Sequence, residues 1–299
     1  MSQIPAPQSD AATPAGDVRK GVLWMILAMF LFVSMDAIAK DLVKTHSVVQ
    51  VTWGRYFFQV VILAVVLAPR LRSLMVTANL RLQLVRSLLL LSTTGLYFTA
   101  LMFVPLAEAS AIMMVSPLVV TALSVPLLKE HVGVRRWSGV IIGFLGAMII
   151  IRPGGDAVQM AALLPLAAAC VYGFYQISTR FLSHSESILT TLCYSALLGG
   201  IITSAAVPFF WTPLTPKEWG LLVGAGLLGT LGHFALIKAF SLAPAAAISP
   251  FVYTNLIWAA SYGIILFGEW PDAWTIAGAA VIAGSGLYIY RREQVRKRA

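Results

Sequence analysis

The chain alternates long apolar runs with short polar breaks over nearly its whole length. A helix that crosses a bilayer needs about 20 mostly apolar residues. Windows of that kind fall at 21–40, 48–69, 83–104, 107–128, 133–151, 160–182, 187–211, 218–242, 245–267 and 273–290. The breaks carry Pro, Gly or charge, as at Pro69-Arg70, Arg152-Pro153-Gly154-Gly155, Thr212-Pro213 and Pro216-Lys217. The pattern predicts an all-α integral membrane protein of ten transmembrane helices, and no connection has room for a soluble catalytic domain. The first run follows Arg19-Lys20 and imitates a secretory signal, with Ala37-Ile38-Ala39 where cleavage would fall. Its length, about 20 residues, exceeds the roughly 7–15 of a signal core, so it reads as a retained helix. Residues 1–18, polar and rich in Ala, Pro and Ser, read as a disordered tail.

Orientation follows from where Lys and Arg fall between the runs. With a cytoplasmic N-terminus, the inner connections and tails collect Arg19, Lys20, Arg70, Arg72, Arg81, Arg86, Lys129, Arg135, Arg136, Arg180, Arg291, Arg292, Arg296, Lys297 and Arg298. The outer side keeps only Lys40, Lys44, Arg152 and Lys217, while Arg55 and Lys238 lie inside helices. Both termini are therefore expected in the cytoplasm, in an inner membrane, with 153–159 as an external loop and 293–299 as a basic cytoplasmic tail. An even number of helices follows independently from that placement.

Residues 21–151 and 160–290 are equally long and hold five predicted helices each. An odd number of helices per repeat inverts the second half in the membrane, and such halves enclose a central cavity near the midplane. Thin echoes support the repeat: Tyr97-Phe98 through Leu106-Ala107 aligns with His233-Phe234 through Leu242-Ala243. After a short gap, Glu130, Gly139 and Arg152 align with Glu269, Gly278 and Arg291.

Composition sharpens the class. Hydrophobic residues make up 59% and charged residues 11% of the 299 positions, against about 25% charged in a soluble domain. The net charge of +9 is scattered between apolar runs and forms no basic stripe with interleaved aromatics, so nucleic acid is excluded as a partner. Cys170 and Cys193 lie inside apolar windows without paired spacing and predict neither a disulfide nor a metal site. No metalloprotease, nucleophile-elbow, P-loop or dinucleotide signature occurs, so no catalytic residues, cofactor or metal are expected.

Function must then come from polar groups inside the bilayer, where ionisable side chains are costly. Asp36 and Arg55 fall at similar depth on the first two helices and are candidates for an ion pair. The pair reads either as a structural bridge or as an outer gate or substrate anchor, with Lys40 as a rival partner for Asp36. His233 follows Gly226, Gly229 and Thr230 on one helical face, which predicts a cavity wall, with Tyr97 as its counterpart in the other half. Tyr172, Tyr175, Gln176 and Thr179 share a face of the sixth helix, and Phe251, Asn255, Trp258 and Tyr262 share one of the ninth. The substrate-binding candidates are Tyr97, Tyr172, Gln176, His233, Asn255 and Trp258. Gly139-x-x-x-Gly143 and Gly220-x-x-x-Gly224 predict close packing within the bundle, with a homodimer interface as the second reading.

The ends of the fourth and ninth helices carry a family resemblance. The first half reads Ala109-Ser110-Ala111, Ser116-Pro117 and Leu127-Leu128-Lys129-Glu130, then Trp137-Ser138-Gly139, Gly143 and Gly146. The second reads Ala247-Ile248-Ser249 and Leu266-Phe267-Gly268-Glu269, then Gly278 and Gly284. This resembles the EamA branch of the drug/metabolite transporter superfamily over about residues 20–292. One departure is Asn255-Leu256, where the family often has proline; a straighter ninth helix is expected there.

The resemblance implies two EamA repeats, 19–152 and 160–292, around a central cavity with alternating access. It implies a secondary transporter of a small metabolite, similar to importers of riboflavin or S-adenosylmethionine and to exporters of amino acids. The aromatic, nearly uncharged stripes point to a vitamin-like or heteroaromatic solute such as riboflavin. A membrane-embedded enzyme or a non-transporting assembly partner is the rival from another class. Substrate, direction, proton coupling and oligomeric state are not readable from the sequence.

Overall fold

The structure, a computed structural model, describes residues 15–128, 133–152, 160–182 and 185–298. Most of the N-terminal tail, the 153–159 loop, Lys129, Glu130, His131 and His184 lie outside the described residues. Among the described residues every regular element is a helix. In hydrocarbon a lone segment must satisfy its backbone internally, and only a helix does so.

The helices are α1 (Ala15–Leu42), α2 (Val48–Leu67), the short α3 (Leu71–Leu74), α4 (Leu80–Ala100), α5 (Leu106–Met113), α6 (Ser116–Leu128) and α7 (Val134–Ile151). They continue with α8 (Leu163–Leu182), α9 (Ile188–Ala206), α10 (Pro216–Leu242), the short α11 (Ala245–Ile248), α12 (Thr254–Phe267) and α13 (Ala273–Arg298). Among the described residues, eight helical stretches are long and apolar enough to cross a membrane. Two further long helices, α4 and α8, carry arginine, glutamine and hydroxyl side chains among their apolar residues and are not among those eight. The ends of the chain are more helical than expected, since α1 begins at Ala15 and α13 runs on to Arg298.

Local chemistry sets the boundaries. Ser47 and Ser187 accept backbone N–H bonds from Gln50 and Thr190 and cap α2 and α9. Thr215 and Glu218 form a reciprocal capping box ahead of α10, with Pro216 in its first turn. Gly268, at φ 67°, ends α12 in the left-handed conformation that costs glycine least.

Two long windows are broken. The fourth splits at Met114-Val115 into α5 and α6, just before Pro117. The ninth, expected to be straighter, is interrupted as well: a 3-10 turn over Ser249–Tyr253, with Pro250 at its start, separates α11 from α12. Proline lacks the donor that an α-helix needs, so the break sits at Pro250 and not at Asn255.

The principal packing partners are α1 with α10, α4 with α8, α7 with α13, α2 with both α10 and α9, and α9 with α4. The pairs α6–α8 and α1–α12 complete the frame. Small residues allow the close approaches, as is usual where lipid offers no competing hydrophobic drive. A side chain at Gly139 would meet Ile289 at 2.6 Å, and one at Gly143 would overlap Leu118 and Ser285. The Gly139/Gly143 motif thus seats α7 on α13. Gly220 is different: a Cβ there meets nothing within 4 Å.

Candidate functional site

The helices enclose a cavity of about 540 Å³, within the range typical of small-molecule sites. Its walls come from α1, α2, α4, α5, α6, α8, α10, the 3-10 turn, α12 and α13, while α7 and α9 contribute nothing to the lining. Of the residues singled out from sequence, Asp36, Arg55, Tyr97, Tyr172, Gln176, His233 and Asn255 all line this one cavity.

The aromatic wall is built from α4 and α8. Tyr172 stacks on Tyr175, with centroids 5.2 Å apart at 20°. Tyr97 on α4 shares a hydrogen bond of 3.0 Å with Ser110 on α5. The hydroxyl of Tyr172 and the amides of Gln176 and Asn255 take no hydrogen bond among the described residues, yet none is sealed away from the cavity. Groups of this kind are costly when left unmatched and so stand ready for water or solute.

His233 reaches the cavity because Gly226 and Gly229 leave room for α2 and α1: a Cβ at Gly226 would meet Phe58 at 2.5 Å, and one at Gly229 would meet Met35 at 3.1 Å. Its ring packs edge-on against Phe32 at 5.0 Å. Nδ1 lies 2.7 Å from the Gly229 carbonyl, which can only accept, so Nδ1 carries the proton and a neutral Nε2 is left as an acceptor. The histidine is therefore both bonded to its own helix and part of the cavity wall.

Asp36 and Arg55 share the cavity but form no ion pair in contact. Arg55 Nη1 donates to Thr94 Oγ1, and its guanidinium lies 4.8 Å over the Tyr56 ring. Thr94 gives its own proton to the Leu90 carbonyl, so the Tyr56 hydroxyl at 3.1 Å must donate to it. Lys40 does not partner Asp36 either. Its Nζ reaches Glu269 Oε1 at 2.9 Å and the carbonyls of Val104 at 2.8 Å and Leu101 at 3.4 Å. The other Glu269 oxygen accepts the backbone N–H of Leu106 at 3.0 Å. This knot joins the end of α1, the α4–α5 connection and the end of α12, one helical turn past Asp36, the last α1 residue on the cavity wall. The lining also reaches Phe240, which is 46% exposed.

Trp258 lies elsewhere. Its ring sits edge-on to Phe30 of α1, 5.2 Å away, and its Nε1 is buried without a partner among the described residues. Tyr262 follows it, bonding Ser34 of α1 at 2.8 Å. The presumed stripe on the ninth helix is thus divided: Asn255, next to the 3-10 turn, faces the cavity, and the residues beyond it face α1.

Sequence reasoning placed Arg86 with the inner connections, and the structure corrects this. Only 5% exposed, Arg86 binds Thr179 Oγ1 at 2.7 Å, the Thr191 carbonyl at 3.0 Å, Ser195 Oγ at 2.6 Å and Tyr175 OH at 2.6 Å. It also lies 4.5 Å over the Tyr175 ring, so it fixes the aromatic wall from behind. The signal was its register: Arg86, Leu90, Thr93, Thr94 and Tyr97 recur at helical spacing on one buried face of α4.

The sequence matches the EamA-like transporter family over residues 19–152 and again over 159–291. The chain belongs to that family. Among similar proteins, the riboflavin transporter of Vibrio cholerae is 32% identical over 93% of this chain and 95% of its own length. The S-adenosylmethionine uptake transporter of Rickettsia bellii is 28% identical, covering 92% and 94%. The pseudopaline exporter of Pseudomonas aeruginosa is 27% identical, covering 93% and 98%. A solved crystal structure shares the fold at a TM-score of 0.64 and 16% identity, over 92% of this chain and 99% of the other. This EamA-like chain is accordingly a multi-pass membrane transporter of small molecules, and its relatives are transporters and not enzymes.

Proposed function

We propose that this protein is an inner-membrane secondary transporter that moves a vitamin-like or heteroaromatic metabolite, riboflavin first among them, by alternating access. The observation that carries the reading is the cavity itself. Its volume of about 540 Å³ suits a small solute, Tyr172 and Tyr97 offer ring faces and edges, and Gln176 and Asn255 present unbonded amides. Planar solutes are held in this way, by stacking plus a few directed hydrogen bonds. The similarity to a riboflavin transporter supports the same choice.

The architecture belongs to the proposal: ten spans in two inverted repeats, 19–152 and 160–292, with both termini cytoplasmic and 153–159 outside. Support comes from the double family match and from the packing. Exchanging the halves turns α1–α10 into α8–α4, α2–α10 into α9–α4, and α6–α8 into α12–α1, all of which are observed partners. The Gly139/Gly143 motif is occupied inside the bundle, which favours a self-contained protomer over a homodimer through that face.

The test is uptake of labelled riboflavin, S-adenosylmethionine and amino acids by cells lacking their own carriers. Riboflavin accumulation that depends on this chain supports the reading. No riboflavin movement, with accelerated loss of a preloaded amino-acid-like metabolite, would establish the second reading, an exporter, which the pseudopaline relative favours. Stoichiometric copurification with another membrane protein and no transport at all would point to an assembly role.

A further inference from the structure

We propose that Asp36 is the proton-carrying site of the transport cycle, through which a proton and a neutral solute cross together. The inference rests on the transporter reading above and adds the coupling ion to it.

Among the described residues, Asp36 is the acid that lines the cavity. It is half-buried on α1, whose principal packing partner is α10, one helical turn before Lys40. No described side chain or backbone N–H donates to its carboxylate, and the nearby groups bond elsewhere, with Arg55 Nε left buried and without a partner among the described residues. From α2, Arg55 binds Thr94 and covers Tyr56. From α4, Tyr97 bonds Ser110 of α5. From α10, His233 gives its Nδ1 proton to Gly229. From α12, Tyr262 bonds Ser34, and Tyr253 of the 3-10 turn lines the cavity further along. On α1 itself, Lys40 is held by Glu269, Val104 and Leu101. Glu108 of α5 lies in the field of Arg152, Asp272, Glu269 and Lys40.

A carboxylate withdrawn from bulk water without a contact partner is costly, and only a cation or a proton removes that cost. Arg55 is close enough to act on Asp36 through its charge, yet is not bonded to it. Two arrangements therefore leave no bare carboxylate between these helices, while Arg55 stays cationic throughout, held in the first by Thr94 and the Tyr56 ring. In one, a proton from hydronium in the cavity binds an Asp36 oxygen while the solute occupies the site. In the other, the empty cavity narrows and the ionised Asp36 closes onto Arg55. Either arrangement can change face without an unpaired buried carboxylate. Solute bound beside an ionised Asp36 kept apart from Arg55 cannot, so solute movement requires the proton. The proton leaves to water on the far side, so one proton moves per cycle and no other bond is made or broken.

The test uses the full chain in proteoliposomes with labelled riboflavin as probe. In the wild type, an outside-acid gradient should raise initial uptake several-fold over the same vesicles without a gradient. In Asp36→Asn this ratio should fall to unity whatever the absolute rate, and Asp36→Glu should retain it. A ratio above unity in folded Asp36→Asn, or its loss in Asp36→Glu with normal folding, overturns the proposal. A second readout needs no solute: infrared difference spectra of purified protein at acid and alkaline pH should show a protonated-carboxyl band that Asp36→Asn lacks. Persistence of the whole band in the variant also overturns the assignment. If wild-type vesicles move no riboflavin, the substrate reading fails, and the infrared comparison alone decides the proton site.

Discussion

Single side chains divide by whether their polar atoms are already spent. Gln176 and Asn255 face the cavity unbonded, so Gln176→Ala and Asn255→Ala should remove solute contacts only. Each should weaken apparent affinity by about 0.5–1.5 kcal/mol, several-fold, with membrane abundance unchanged. Trp258→Ala is expected to do the opposite. Its ring packs on Phe30 and joins two apolar clusters, so the variant should lose folded protein, by about 3 kcal/mol, before it loses affinity. Arg86 is a third kind of residue. Its fork serves three side chains and a carbonyl at once, a geometry that a lysine ammonium cannot reproduce. Arg86→Lys should lower thermal stability of the purified protein by at least about 2 kcal/mol, and unchanged melting would refute its role in holding Tyr175.

Among the helices, close approach and end chemistry decide what a change does. At the α7–α13 crossing a Cβ on Gly146 would meet the Gly278 carbonyl at 3.0 Å, and one on Gly278 would overlap Ile150. Gly143→Leu should therefore abolish folded protein, whereas Gly220→Ala, which meets nothing, should stay within about 0.5 kcal/mol of wild type. The end of α7 is tied to the start of α13 by Arg152 and Asp272, 2.9 Å apart. Burial alone would push the Asp272 carboxyl up, but bonds from Thr275 and the Arg152 charge outweigh it and hold it below the usual carboxylate range. A lowered carboxyl stabilises the fold at pH above the ordinary carboxylate range and loses that contribution as pH falls through its own lower value. Asp272→Asn should then lower melting slightly at neutral pH, by well under about 1 kcal/mol because the pair is half-exposed. The difference should vanish at strongly acid pH.

At the scale of the whole molecule, the proposal with most consequence is orientation, since it assigns a side to each end of the cavity. Cys170 and Cys193 can first be replaced by serine. A cysteine at Phe209, 84% exposed beyond α9, should then react with an impermeant reagent on intact cells, and one at Val76, 74% exposed after α3, should not. On that orientation the Lys40–Glu269 knot lies toward the outer side and the exposed Phe240 toward the inner side. The reverse labelling would interchange the two sides while leaving the cavity itself untouched.

What the sequence by itself determined is the set of apolar windows, the breaks between them and the rarity of polar groups inside them. These are one-dimensional properties, set by the length a helix needs and the cost of burying charge. They were enough to nominate Asp36, Arg55, Tyr97, Tyr172, Gln176, His233 and Asn255, which meet at one cavity. Only the tertiary structure decided which way each helix turns. Rotation about a helix axis is fixed by packing against its neighbours, as Gly226 and Gly229 show for His233, and hydropathy carries little record of it. A 3-10 turn at Ser249–Tyr253 resets the phase ahead of α12: Asn255 faces the cavity and Trp258 faces α1. Arg86, read as a connection charge, is buried because hydroxyls from α8 and α9 converge on it, and a partner set drawn from distant segments cannot be seen from one segment alone.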